Sequence, residues 1–174
     1  HACFEVSDGD LCIVTDPHDG KSIGIKPPTV EADIVLVSHN HFDHNCVSTV
    51  SKPTTTVVNK PGYRAVKGVK IYGLQTYHDT MNGQRRGENI IFRFAFGDLV
   101  FCHLGDLGHP LGSTHAEKLG DIDILFIPVG GTFTIDAATA WDVVRVLKPK
   151  VIVPMHYRIG GLTLSIQPVD PFLE

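Results

Sequence analysis

Cysteine is scarce in this 174-residue chain, and the four present, Cys3, Cys12, Cys46 and Cys102, show no CxxC spacing. Nothing calls for a disulfide framework, so a reducing, cytoplasmic setting is expected. Long hydrophobic runs are missing too. The longest, such as Ile122 to Val129, are strand-sized and too short to span a bilayer, so no membrane partner is expected. Basic clusters are also lacking: the formal charge is −4 and Lys and Arg are scattered, which removes the electrostatic footprint of a general nucleic-acid binder. There is no internal repeat, low-complexity tract or domain boundary. The first residue is His1 rather than Met, so a targeting signal in any preceding segment would not be visible here.

What is present is ordinary globular composition, 43% apolar and 20% charged, at a length that suits a single domain over residues 1–174. Ala2 to Val6 and Leu11 to Thr15 flank the turn-forming Ser7-Asp8-Gly9-Asp10 and read as a hairpin. After a Gly- and Pro-rich loop from Asp16 to Pro28, Ile34 to Ser38 reads as an apolar strand. Thr54 to Asn59 and Val69 to Leu74 are β-branched segments, with one helical turn expected near Tyr63 to Val66. Asn89 to Phe96 and Leu99 to His103 form a second hairpin around Gly97-Asp98. Farther on, Ser113 to Leu119 and Asp136 to Leu147 read as helices, the second capped by Thr134 and ended by Pro149. Ile122 to Pro128 and Val151 to Val153 read as strands. Strands first and strand–helix alternation later imply sheets covered by helices, an α+β domain.

The strongest local signal is Ser38-His39-Asn40-His41-Phe42-Asp43-His44, directly after a predicted strand. Only ten residues are His, and three of them fall within six positions here. In extended chain His39 and His41 point to one side, so both imidazoles can reach one metal. A turn just after them would swing Asp43 and His44 toward a second. Imidazole with some carboxylate suits Zn²⁺ and related first-row ions. The bland alternative is a solvated polar loop or a hydrogen-bonded His cluster. Against it, His78, Asp106 and His156 each sit just beyond another predicted strand, so four strand ends can deliver all these groups to one edge.

This pattern, a His-x-His-x-Asp-His run followed in order by a separate His, an Asp after Gly and a final His, resembles the metallo-β-lactamase superfamily of hydrolases. Tyr77-His78-Asp79, Asn89 to Phe92, Leu104-Gly105-Asp106 and Pro128-Val129-Gly130-Gly131 look like the small branch that includes ascorbate-phosphate lactonase and related metal-dependent hydrolases. The resemblance implies a four-layer αββα sandwich with the metals at one edge of the two sheets. It also implies two divalent ions, Zn first and Mn, Fe or Ni as alternatives. His39, His41 and His78 would hold one and Asp43, His44 and His156 the other, with Asp106 bridging. The implied activity is hydrolysis of a small ester, lactone or phosphate ester by water activated between the ions, Asp43 and Asp106 serving as catalytic groups. The rival reading is a non-catalytic metal-binding module of the same fold.

Beyond the ligands, Arg85 and Arg86 in the polar stretch Asn82 to Glu88 could bind an anionic small-molecule substrate, since guanidinium matches phosphate and carboxylate geometry. A solvated loop tip is the plain alternative. Tyr157 and Arg158 follow the last ligand and either could face the pocket. His103 is read as a core histidine that could hydrogen-bond a ligand, and His1, His18, His109 and His115 are left out of the site. Gly130-Gly131 is expected to permit an unusual turn. Substrate, metal identity and oligomeric state are not legible.

Overall fold

The computed structural model describes residues 1–174. Its first sheet has four strands in the order β1 (Phe4–Ser7), β2 (Cys12–Thr15), β3 (Ala32–Leu36) and β4 (Ser51–Val58). The opening hairpin forms as expected, because the Asp8 carboxylate accepts the backbone N–H groups of Asp10 and Leu11 at 3.0 and 2.9 Å and closes the turn. β2, β3 and β4 then run parallel.

The second sheet has six strands, β5 (Gly62–Val66), β6 (Val69–Tyr77), β7 (Glu88–Phe96), β8 (Leu99–His103), β9 (Ile124–Pro128) and β10 (Val151–Met155), in the spatial order 10-9-8-7-6-5. Tyr63 to Val66 is a strand, not the expected helical turn. Lys67 and Gly68 reverse the chain with positive φ, and β5 pairs antiparallel with β6, with Tyr63 opposite Tyr72 and the two rings stacked 4.1 Å apart. The β7–β8 hairpin turns on Gly97-Asp98, as read from the sequence.

Three apolar clusters fix the layers. Between the sheets lie Ile13, Ile34, Leu36, Ile71, Phe92, Phe94 and Phe126, a set in which each fully buried side chain contributes about 1.5–3 kcal/mol. The outer face of the larger sheet is covered by α1 (Ser113–Leu119), α2 (Ala137–Leu147) and the short α3 (Asp170–Leu173), which join Leu104, Leu107, Leu125 and Ile127 in a second cluster. The four-stranded sheet carries a thinner outer layer, in which Val47 of the 3₁₀ turn Val47–Thr49 packs beside Val14, Val35 and Val50. The N-cap of α2 is Asp136 rather than Thr134: its extended backbone aims Oδ1 at the Thr139 N–H, 2.9 Å away. No helix is long and apolar enough to cross a membrane.

Strand direction positions the site. β8, β9 and β10 are mutually parallel, and β6 runs the same way because two antiparallel pairings separate it from β8. Their C-terminal ends therefore share one edge, where His78, Asp106 and His156 emerge.

Candidate metal centre

After Leu36 the chain leaves the first sheet and turns: the N–H groups of His44 and Asn45 both donate to the His41 carbonyl, at 3.0 and 3.1 Å. That turn splits the motif as its spacing suggested. The donor atoms of His39, His41 and His78 lie within 4.8 Å of one another, and those of Asp43, His44, His156 and His1 form a second such group. Asp106 stands between the groups. Its Oδ2 is 3.1 Å from His78 Nε2, 3.3 Å from the Nε2 atoms of His44 and His156, and 3.8 Å from His39 Nε2. All seven residues expected at the site are thus brought together.

Hydrogen bonding does not account for this packing. His39 Nε2 and His44 Nε2 are buried with no hydrogen-bond partner, as is Asp106 Oδ1. Orphaned buried groups are costly, and imidazole nitrogens converging on a carboxylate are relieved by a cation among them. The residues present therefore fit one or more first-row divalent ions.

Burial and close charges perturb the titration of the central groups strongly. Burial works against a charge on Asp106, yet the imidazoles of His156 and His44 outweigh it and hold the carboxyl well below the usual range. Burial pushes the His39 imidazole down to about 3, aided by His44, which leaves it neutral, as a metal donor must be. His44 is raised well above its ordinary value: burial opposes this, but Asp106, Asp16 and Asp43 surround the ring with negative charge.

Asp16, which the sequence reading placed in a loop, anchors the donors from behind. One of its oxygens lies 3.0 Å from His44 Nδ1 and accepts the Ser38 hydroxyl at 2.6 Å, while the other accepts the Ser38 N–H at 2.7 Å. Ser38 Oγ in turn lies 2.8 Å from His39 Nδ1. A buried carboxylate thus orients two imidazoles, one directly and one through a hydroxyl, a device that sharpens metal binding. Its signal in sequence is the one the candidate donors carry, a polar group directly after an apolar strand. Asn89 was likewise missed: fully buried, it accepts the Asp106 N–H.

His1, left out of the predicted site, is in it: Nε2 is 3.0 Å from Asp43 Oδ2 and the ring lies 4.5 Å from that of His156. His103 is the core histidine expected. Its Nε2 lies 2.9 Å from the Ala2 carbonyl and its Nδ1 accepts the Gly105 N–H at 3.1 Å, so it braces the backbone before Asp106 without touching a ligand. His109 and His115 sit elsewhere, at Tyr77 and at the start of α1. Tyr157 packs toward the helix-side core, and Arg158 is exposed. Gly130 permits a close approach, since a Cβ there would strike the His156 carbonyl. Beside the donors, a cleft of about 290 Å³ is bounded by Phe42, Arg86, Phe133 and Leu164.

A β-lactamase superfamily domain model matches residues 1–156. A Thermoplasma acidophilum protein described as a UPF0173 metal-dependent hydrolase is 28% identical over 93% of this chain and 82% of its own length. A Thermococcus kodakarensis protein described in the same words is 28% identical over 90% and 81%. Among solved structures, a Thermotoga maritima protein assigned as a Zn-dependent hydrolase of the metallo-β-lactamase superfamily is 42% identical, covers 99% of this chain and 80% of its own, and superposes with a TM-score of 0.81. A Parabacteroides distasonis protein at 23% identity and TM-score 0.74, covering 94% of this chain and 81% of its own, shares the fold. With the matched domain model and the 42% relative both spanning the strand-end donors, the chain belongs to the metallo-β-lactamase superfamily.

Proposed function

We propose that this chain is a two-metal hydrolase acting on a small ester, lactone or phosphate ester. The observation that carries the reading is the placement of Asp106 Oδ2 between two groups of donors, each able to hold one ion. His39, His41 and His78 would hold the first, and Asp43, His44 and His156 the second, with Asp106 shared. Zn²⁺ suits this donor set, and Mn²⁺, Fe²⁺ and Ni²⁺ accept the same ligands. Bound there, such ions supply Lewis acidity and activated water at neutral pH.

The chain's own part is to position and to move protons. Asp16 and Ser38 fix the His39 and His44 rings, so the donors are set before any ligand arrives. Asp43 is the most open of the acids at the centre and faces the cleft, where it can orient the attacking water and pass its proton toward the leaving group. Phe42 and Phe133 add apolar lining to the cleft beside the donors.

The test is metal analysis combined with a screen of chromogenic phosphodiesters, esters and lactones, run on the wild type and on Asp106→Ala. The reading expects two ions per chain and turnover on at least one class, with Asp106→Ala losing turnover and holding the second ion more weakly. Full metal content with no hydrolysis of any class would favour a metal-binding module instead. Normal activity and metal in Asp106→Ala would remove the shared-ligand role.

A further inference from the structure

A second, larger cavity of about 630 Å³ is lined by His39 and His41 and walled by Asn40, Asn59, Lys60, Gln75 and Arg86. Its lining holds two side-chain cations, Lys60 and Arg86, against one acid, Glu88. Arg86 and His41 line both this groove and the metal cleft, so they stand at the junction.

Arg86 is held ready there. The guanidinium lies 5.4 Å over the Phe133 ring and makes no ion pair, which leaves its N–H edge free for an oxyanion. Its backbone is fixed from below. The buried Asp79 carboxylate accepts the N–H groups of Met81 at 2.7 Å, Gly83 at 2.9 Å, Arg85 at 2.9 Å and Arg86 at 2.8 Å. The loop then closes on the adjacent donor, since the His78 N–H donates to the Gly87 carbonyl at 3.0 Å. One carboxylate thus sets the 79–87 loop in register with His78, an arrangement that a merely solvated loop tip would not need.

We propose that Arg86 determines specificity by gripping an anionic substituent, phosphate or carboxylate, of a polar substrate whose body lies in the Asn40–Asn59–Gln75 groove while its scissile bond reaches the donors. This rests on the hydrolase reading above and narrows it to anionic, hydrogen-bonding substrates rather than apolar esters. Asp79 acts as a positioning residue for the loop. Arg85 shares the Asp79 clamp but lines neither cavity.

The experiment compares two p-nitrophenyl esters of similar length, the neutral butyrate and the hemiglutarate with its free carboxylate, on wild type, Arg86→Ala, Arg86→Lys and Arg85→Ala. For Arg86→Ala the KM of the charged ester should rise roughly tenfold, with kcat within about twofold and the neutral ester unaffected. Arg86→Lys should recover part of the loss, and Arg85→Ala and metal content should stay as in the wild type. Equal losses on both esters, or none on either, would overturn the assignment. If the metal-loaded wild type cleaves neither ester, simple carboxylic esters drop out of the substrate classes of the hydrolase reading. Calorimetric binding of inorganic phosphate to the metal-loaded protein then decides the role of Arg86: weakening by about tenfold in Arg86→Ala upholds it, and unchanged affinity rejects it.

Discussion

The Asn89 carboxamide oxygen accepts the backbone N–H of Asp106 at 2.9 Å, while its NH₂ group donates to the Leu104 carbonyl at 3.0 Å and to Thr76 Oγ1 at 2.9 Å. One side chain at the start of β7 thereby ties the turn after β8 to the end of β6, and with it Asp106 to His78. Asn89→Leu keeps the branched heavy-atom skeleton but strands the Asp106 N–H and the Leu104 carbonyl without partners. A stability loss of about 3 kcal/mol is expected, with metal affinity falling about ten- to a hundredfold. Urea titration and metal competition check both, and a variant with weakened stability but wild-type metal affinity would show that Asn89 does not position Asp106.

Gly108 serves the same turn from the other side. Its N–H donates to the Tyr77 carbonyl at 3.0 Å, and a Cβ there would overlap the backbone of His78 and Asp79. Because neither neighbour is a flexible side-chain end, Gly108→Ala should push β6 away from the site. Expected are a loss of about 2–3 kcal/mol and selective weakening of metal binding at the proposed His39–His41–His78 donors, read by sequential metal titration. Uniform weakening of both ions would point to general unfolding instead.

The donors were legible because each announces itself locally, as a His or Asp just past an apolar strand, and because β6, β8 and β10 point the same way. Asp16 obeys the same rule after β2, yet the Pro and Gly that follow made it read as the start of a loop. His1 falls outside the predicted site for a different reason: although the resembling family often fills that position near the cleft, its spacing is not coherent with the other donors, and its partner Asp43 is 42 residues away. The β5 strand was misread because four residues after Lys60-Pro61-Gly62 carry too little periodicity to distinguish a helical turn from a short edge strand. Its pairing with β6 decided the matter.

The cysteines offer a check on burial. Burial pushes the Cys102 thiol up to about 12, and burial together with Asp16 does the same to Cys3, so neither has appreciable thiolate near neutrality. Iodoacetamide applied to the native protein at mildly alkaline pH should leave both unmodified while labelling them fully in urea. Rapid native labelling of Cys102, read by peptide mass spectrometry, would mean that the helix-side core opens far more readily than its packing implies.

Asp136 gives a stability prediction with a defined dependence on pH. The Thr139 N–H, bonded to the capping carboxylate, lowers the Asp136 pKa from its ordinary value. Because the folded state binds the proton less tightly than the unfolded chain does, the cap contributes fully above the ordinary aspartate range. That contribution is lost as pH falls through the lowered folded value. Asp136→Ala should therefore cost about 1 kcal/mol at neutral pH, and the gap to the wild type should close in acid. Asp136→Asn, an uncharged cap, should retain most of the stability at neutral pH and show no such closing. Urea unfolding of the three proteins in chelator, at neutral pH and below the aspartate range, separates the cap from any contribution of bound metal. A wild-type advantage over Asp136→Ala that is undiminished in acid would mean that the charge of Asp136 plays no part in holding the start of α2.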